Sequence, residues 1–138
     1  MKFKELISAF LTTLCLASCS SIGSDKPDYM SEDVYNAGIQ TIEIIDSLLD
    51  GDINCVTAYD KSKYYLDELK NADCDVDDAM DSAKLYSMTC DASILSLTLH
   101  KYEAGEESGI SITSTRLEEI KEDRNKLAEN FNIKAYEN

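Results

Sequence analysis

The chain has no tryptophan, one proline and one histidine in 138 residues. The single imidazole, His100, cannot complete a convincing zinc cluster, because the cysteines nowhere form a CxxC pair. It also lies ten residues from Cys90. On one helix that is about 15 Å along the axis, too far for a nucleophile–base pair. No glycine-rich phosphate loop is present, and the missing tryptophan counts against a sugar-binding platform. Basic residues are scarce as well: 13 Lys and Arg stand against 27 Asp and Glu, a formal net charge of −14. Such a field opposes nucleic-acid phosphate and close approach to anionic lipid head groups. It fits a need for solubility, or attraction to a basic protein.

Long apolar runs are also lacking. The longest stretch begins beside Lys2 and Lys4 and carries Phe3, Leu6, Ile7, Phe10, Leu11, Leu14 and Leu16. It is shorter than the ~20 residues a membrane-spanning helix needs. A basic start, a short apolar middle and small residues before a cut site describe an export signal. The residues Leu16-Ala17-Ser18-Cys19 resemble the lipobox of bacterial lipoproteins. That resemblance covers the leader alone. It implies a diacylglyceryl group on the Cys19 sulfur, cleavage just before Cys19, and fatty acylation, as with palmitate, of the new amine. The implied location is the bacterial cell envelope, with the chain held on an extracytoplasmic membrane face. Several acyl chains anchor a domain firmly, since each buried methylene contributes about 0.8 kcal/mol.

The expected organisation is a leader over residues 1–18, a flexible tether over 19–30 and an acidic helical domain over 31–138. The tether assignment rests on Ser20, Ser21, Gly23, Ser24, Asp25, Lys26 and Pro27, which are poor core material. Ser31 is placed to cap a first helix, with Glu32 and Asp33 in its first turn. That helix carries an apolar stripe at Val34, Gly38, Thr41, Ile42, Ile45, Leu48 and Leu49, widened by Ala37 and Ile44. Asp50-Gly51-Asp52 supplies a stop and a new cap. A second helix from Ile53 to about Asn71 turns Cys55, Val56, Tyr59, Ser62, Leu66 and Leu69 inward.

A third helix starts at 76–78 and runs toward Tyr102. Its expected inner face is Ala79, Met80, Ala83, Tyr86, Cys90, Ile94 and Leu97, broadened by Leu85, Met88, Leu95 and Leu99. A break is expected over 103–109, and Ile110 to Thr113 alternates like a short extended piece. Thr115 with Glu118 matches a capping box. It opens a fourth helix bearing Leu117, Ile120, Leu127 and Phe131, with Arg124 interrupting the stripe and reaching an edge or an acidic partner. Four amphipathic helices with short turns predict an all-α fold, a small antiparallel four-helix bundle.

Cys15 belongs to the leader and Cys19 to the lipobox, which leaves Cys55, Cys74 and Cys90. Export permits a disulfide without requiring one. Cys55 and Cys74 would lie ~25 Å apart at opposite ends of the second helix, beyond bonding reach. An antiparallel return brings Cys90 level with Cys55. A Cys55–Cys90 disulfide with Cys74 free is therefore favoured over three reduced thiols.

The segment from Asp73 to Asp81 opens like a calcium loop, but Asp78 holds the position that needs glycine and Lys84 the one that needs glutamate. A solvated turn and a negatively charged helix start explain it without metal. No catalytic, metal or cofactor site is expected. The candidate partner or ligand surface comprises Tyr59, Tyr64, Tyr65, Asp73, Asp75, Asp77, Asp78 and Asp81. Tyr59, Tyr64, Tyr65 and Tyr86 either line a groove between the second and third helices or fill the rim of the core.

The leading expectation is a non-enzymatic lipoprotein that presents an acidic helical surface to a basic extracytoplasmic protein. Two others are weighed beside it. One is an inhibitor or immunity protein covering the positive cleft of a toxin or hydrolase. The other is a small-ligand carrier using the tyrosine groove.

Overall fold

A computed structural model describes residues 26–72 and 76–137. Among them are four helices and no strand: α1 (Glu32–Leu49), α2 (Cys55–Lys70), α3 (Ala79–Glu107) and α4 (Ser114–Glu129). Each packs on two neighbours, α1 on α2 and α4, α3 on α2 and α4, so the four close a bundle. The proposed Cys19 lipidation site, Cys74, Asp73 and Asp75 lie outside the described residues.

Local chemistry sets the helix ends. Ser31 Oγ accepts the Val34 amide at 3.3 Å, and Glu32 and Asp33 occupy the positive end of the α1 dipole. Gly51, at φ +81°, takes the left-handed turn that stops the chain from continuing α1. The cap of α2 is Asn54, whose Oδ1 accepts the Thr57 amide at 2.8 Å, two residues beyond the Asp52 cap that the sequence suggests. Asp78 caps α3 through the amides of Met80 and Asp81.

Two expected boundaries move. α3 does not break at Glu103; it continues to Glu107, because Glu103, Ala104, Glu106 and Glu107 favour helix strongly enough to carry Gly105 inside it. The stop comes at Gly109, again at φ +81°. The Thr115–Glu118 capping box does not form. Ser114 is already helical, so Thr115 lies inside the first turn, and the N-cap is Thr113 without a side-chain bond.

Residues 26–30, assigned to the tether from composition, instead fold onto the end of the bundle. Lys26 Nζ donates to the Met30 carbonyl at 2.7 Å, the Tyr29 hydroxyl donates to the Asn130 carbonyl at 3.3 Å, and Met30 is buried. Met30 and Tyr29 bring enough apolar surface to dock, which the polar residues around them disguise.

The core is continuous and apolar. Ile45, Leu66, Leu69, Met88, Leu95, Leu99, Ile120, Leu127 and Phe131 are essentially fully buried. Gly38 is required by this packing. A methyl group built there would overlap the Phe131 ring, which follows the end of α4 and lies against α1. The missing side chain at Gly38 thus makes room for the Phe131 ring.

The register explains what happens to the cysteines. On the α2–α3 seam the Cys55 thiol donates to the Leu99 carbonyl at 3.7 Å, the Val56 amide donates to Glu106 at 3.1 Å, and Lys70 reaches Ser96 at 3.4 Å. Cys55 thus faces the stretch of α3 from Leu99 to Glu106. Cys90 is nine residues from Leu99, about 13 Å along the axis. The expected Cys55–Cys90 disulfide is not formed, and both thiols are free. The expectation set the two cysteines level, but the seam places Cys55 against α3 more than two turns beyond Cys90.

Candidate functional site

α3 is 29 residues long, against 16 for each of its neighbours α2 and α4. Its buried residues are Leu85, Met88, Ala92, Leu95, Thr98, Leu99 and Tyr102. The face expected to be inward is the outer one: Met80 is 68% exposed, Tyr86 71%, Ile94 46% and Leu97 69%. Both faces of this helix are apolar at helical spacing, and the rows expected only to broaden the core stripe are the core itself.

Between α1 and α4 the bundle is closed by a polar clasp. Arg124, nearly fully buried, forms a bidentate pair with Asp46 of α1, Nε to Oδ1 at 2.8 Å and Nη2 to Oδ2 at 2.9 Å. Its remaining nitrogen donates to the Lys134 carbonyl at 2.7 Å and to Asn125 Oδ1 at 3.1 Å. Asn125 Oδ1 also accepts the Tyr136 amide at 2.8 Å, and the Tyr136 hydroxyl bonds Asp50. One guanidinium therefore fixes α1, α4 and the C-terminal segment together. The acidic partner expected for Arg124 is Asp46.

A second polar line, buried at Thr98 and Asp123 and partly buried elsewhere, joins α3 to α4 and the residue that follows it. Thr98 donates to Asp123 at 2.7 Å, the Tyr102 hydroxyl bonds Glu119, and Asn130 donates to Asp91 at 2.9 Å. Every buried side-chain polar atom among the described residues has a partner. These interior groups hold helices together, and none is aimed into an empty space.

The outward groups divide into separate places. Tyr64 and Tyr65 pack edge to face, centroids 5.6 Å apart, and line a cleft of about 370 Å³ with Asp33, Asn36, Ala37, Gln40 and Glu68. That cleft lies between α1 and α2, not between the second and third helices as expected. Tyr59 points elsewhere and packs on the His100 ring at 5.2 Å. Tyr86 is on the outer face of α3 beside Cys90, whose side chain holds the phenol above its ordinary pKa. The four tyrosines therefore make no common groove. Asp77 and Asp78 are exposed at the start of α3, where Asp78 is occupied as a cap, and Asp81 pairs with Lys84 at 3.4 Å.

The Cys55 thiol is held away from reaction. Burial, and then the charges of Glu106 and Glu103, push the Cys55 thiol up to about 12, so it stays protonated and inert. His100 is exposed, with Nδ1 3.6 Å from Glu103. Among the described residues no group of three or more His, Cys, Asp or Glu side chains could hold a metal ion. No helix among them is long and apolar enough to cross a membrane.

The sequence reading missed the contribution of α1 to the cleft. Asp33, Asn36, Ala37 and Gln40 recur at spacings of three and four, a signal that could have placed them on one edge of α1. Comparison with known protein families, curated proteins and solved structures found no match.

Proposed function

We propose that this chain is a lipid-anchored protein of the bacterial cell envelope, attached through Cys19, that uses an acidic helical surface to bind a basic extracytoplasmic protein. The cleft between α1 and α2 is the observation that carries the binding role. It sets the carboxylates of Asp33 and Glu68 beside the rings of Tyr64 and Tyr65. A lysine or arginine side chain fits that chemistry: the carboxylates take its charge, and a tyrosine face takes the cation. Tyr64 is 66% exposed and available to a partner. The net charge of −14 adds long-range steering toward a basic surface. The lipobox at Leu16-Ala17-Ser18-Cys19 supports the anchor.

Two measurements test this role. Intact-mass analysis of the protein from its native membrane is expected to show a chain beginning at an acylated Cys19. An unlipidated chain that retains Met1 removes the anchor. Capture from envelope extract is expected to recover a basic protein that elutes as salt rises. The Asp33→Asn/Glu68→Gln double variant is expected to lose it. Retention of that partner by the double variant assigns binding to another surface, and no reproducible partner at any salt concentration defeats the role.

A further inference from the structure

The outer face of α3 is unlike every other outer face of the bundle. α1 shows Glu32, Asp33 and Glu43 on its partly or fully solvated side, α2 shows Asp60, Lys61, Lys63 and Asp67, and α4 shows Glu118, Glu119, Glu122 and Glu129. From Ser82 to Leu99, α3 carries only Lys84 and Asp91, one of each sign. Asp91 is already engaged by Asn130. In the same stretch Tyr86, Ile94 and Leu97 are exposed, with half-buried Cys90 between them. Together with Met80 and Ala83 they form a stripe at spacings of three and four, ~26 Å from end to end. Small soluble domains do not ordinarily leave such a continuous apolar row in water.

We propose that a second copy of this chain covers that stripe, with the two α3 helices antiparallel and Cys90 beside the two-fold axis. Charge decides between candidate occupants. A molecule of net charge −14 repels its own copy on any side that carries its acidic residues. The outer face of α3, with one charge of each sign from Ser82 to Leu99, is the side where two copies meet with the least of that penalty.

The stripe is also self-complementary about Cys90. A two-fold axis there sets Tyr86 opposite Ile94 of the second copy and the small Ala83 opposite the large Leu97. Such pairing interleaves large and small side chains as helix packing requires. The ends match in sign as well. Exposed Asp77 and Asp78 begin α3, and exposed Lys101 lies eleven residues beyond Cys90 on the same face. Antiparallel packing brings each Lys101, which pairs with its own Glu119 at 3.8 Å, toward the other copy's Asp77, while Asp78 stays committed to the α3 cap.

This surface is separate from the Tyr64–Tyr65 cleft on α1 and α2, so its failure and the failure of partner binding are distinguishable. The apolar centre and the repelling flanks also make a signed expectation. Salt screens the repulsion, so self-association strengthens as salt rises, whereas capture of a basic partner weakens.

Sedimentation velocity of the full chain over a range of protein and salt concentrations is the test, joined to cross-linking with a short bis-maleimide that adds two thiols without oxidation. The expected result is a monomer–dimer equilibrium that shifts toward dimer with salt, and a mapped Cys90–Cys90 cross-link between chains. Leu97→Glu is expected to abolish both while keeping the helical circular-dichroism spectrum, since the side chain is exposed. Ile94→Lys is the second variant should the first lose its spectrum. A monomer at the highest soluble concentration overturns the proposal. So does a dimer that persists in a folded Leu97→Glu or Ile94→Lys chain, or one whose inter-chain link excludes Cys90.

Discussion

The two sides of α3 look alike in composition and differ completely in circumstance. One side is Leu85, Met88, Leu95 and Leu99, buried between α2 and α4. The other is Met80, Tyr86, Ile94 and Leu97, facing outward. Hydrophobicity places residues on a common stripe but carries no label saying which stripe meets a neighbour. A burial argument from sequence is therefore safest where a helix has one apolar side, as α1 does, and weakest where it has two.

The thiols give the largest contrast between the sides. Cys55 abuts the inner side of α3 with its pKa pushed to about 12, while Cys90 is on the outer side. With its pKa pushed up to about 12, Cys55 carries far less thiolate near neutral pH than an ordinary cysteine. Alkylation of the dilute native protein is expected to label Cys90 and to reach Cys55 only on unfolding, as read by peptide mass spectrometry. Equal labelling rates would erase the distinction.

The same thiol makes a pH expectation. The folded state holds Cys55 protonated, so its contribution to stability is fully present below pH 9. It is lost as pH rises from 9 through about 12, where the unfolded chain ionises first. Melting temperature is expected to fall over that window, and less steeply for Cys55→Ala than for the unaltered chain.

Truncation sharpens the comparison energetically. Leu95→Ala removes fully buried methylenes and is expected to cost about 3 kcal/mol in urea unfolding. Leu97→Ala, two residues away and exposed, is expected to change the monomer by less than about 0.5 kcal/mol. Similar costs at the two positions would mean that the sides have been assigned wrongly.

Smaller effects separate interior polar groups from surface ones. Asp46→Ala strands a buried guanidinium and is expected to cost about 2 kcal/mol, tempered because Asp46 is partly exposed. Asp60→Ala breaks an exposed i,i+3 pair with Lys63 and should change stability by less than about 0.5 kcal/mol. At the helix ends, Ser31→Ala is expected to cost about 1 kcal/mol by removing a side-chain cap. Thr115→Ala should be neutral or slightly stabilising, because Thr115 caps nothing and alanine favours helix. Chemical denaturation of the four variants ranks them directly.

Much of the bundle could be read from local pattern. The α1 stripe, the Ser31 cap and most inward positions of α2 follow from spacing or residue chemistry, and the structure keeps them, with Val56 and Tyr59 only half-buried. The candidate surface was legible only in part. Tyr64, Tyr65 and Glu68 are neighbours on α2 by helical spacing, but Asp33 joins them only because α1 runs beside α2. Tyr59 and Tyr86 could not be separated from that pair, since a tyrosine at a helix boundary looks the same whichever neighbour it meets. Arg124 announced itself as a charge within an apolar row, and its partner lay 78 residues away.

Helix identity, helix number and the acidic character of the surface were settled by the order of residues alone, because hydrogen bonding between near neighbours, capping and side-chain charge are local. Which side of α3 enters the core, which thiols approach one another and which carboxylate receives Arg124 were settled only when the helices packed. Those outcomes depend on the offset between elements, a relation between residues far apart in the chain that no local pattern specifies.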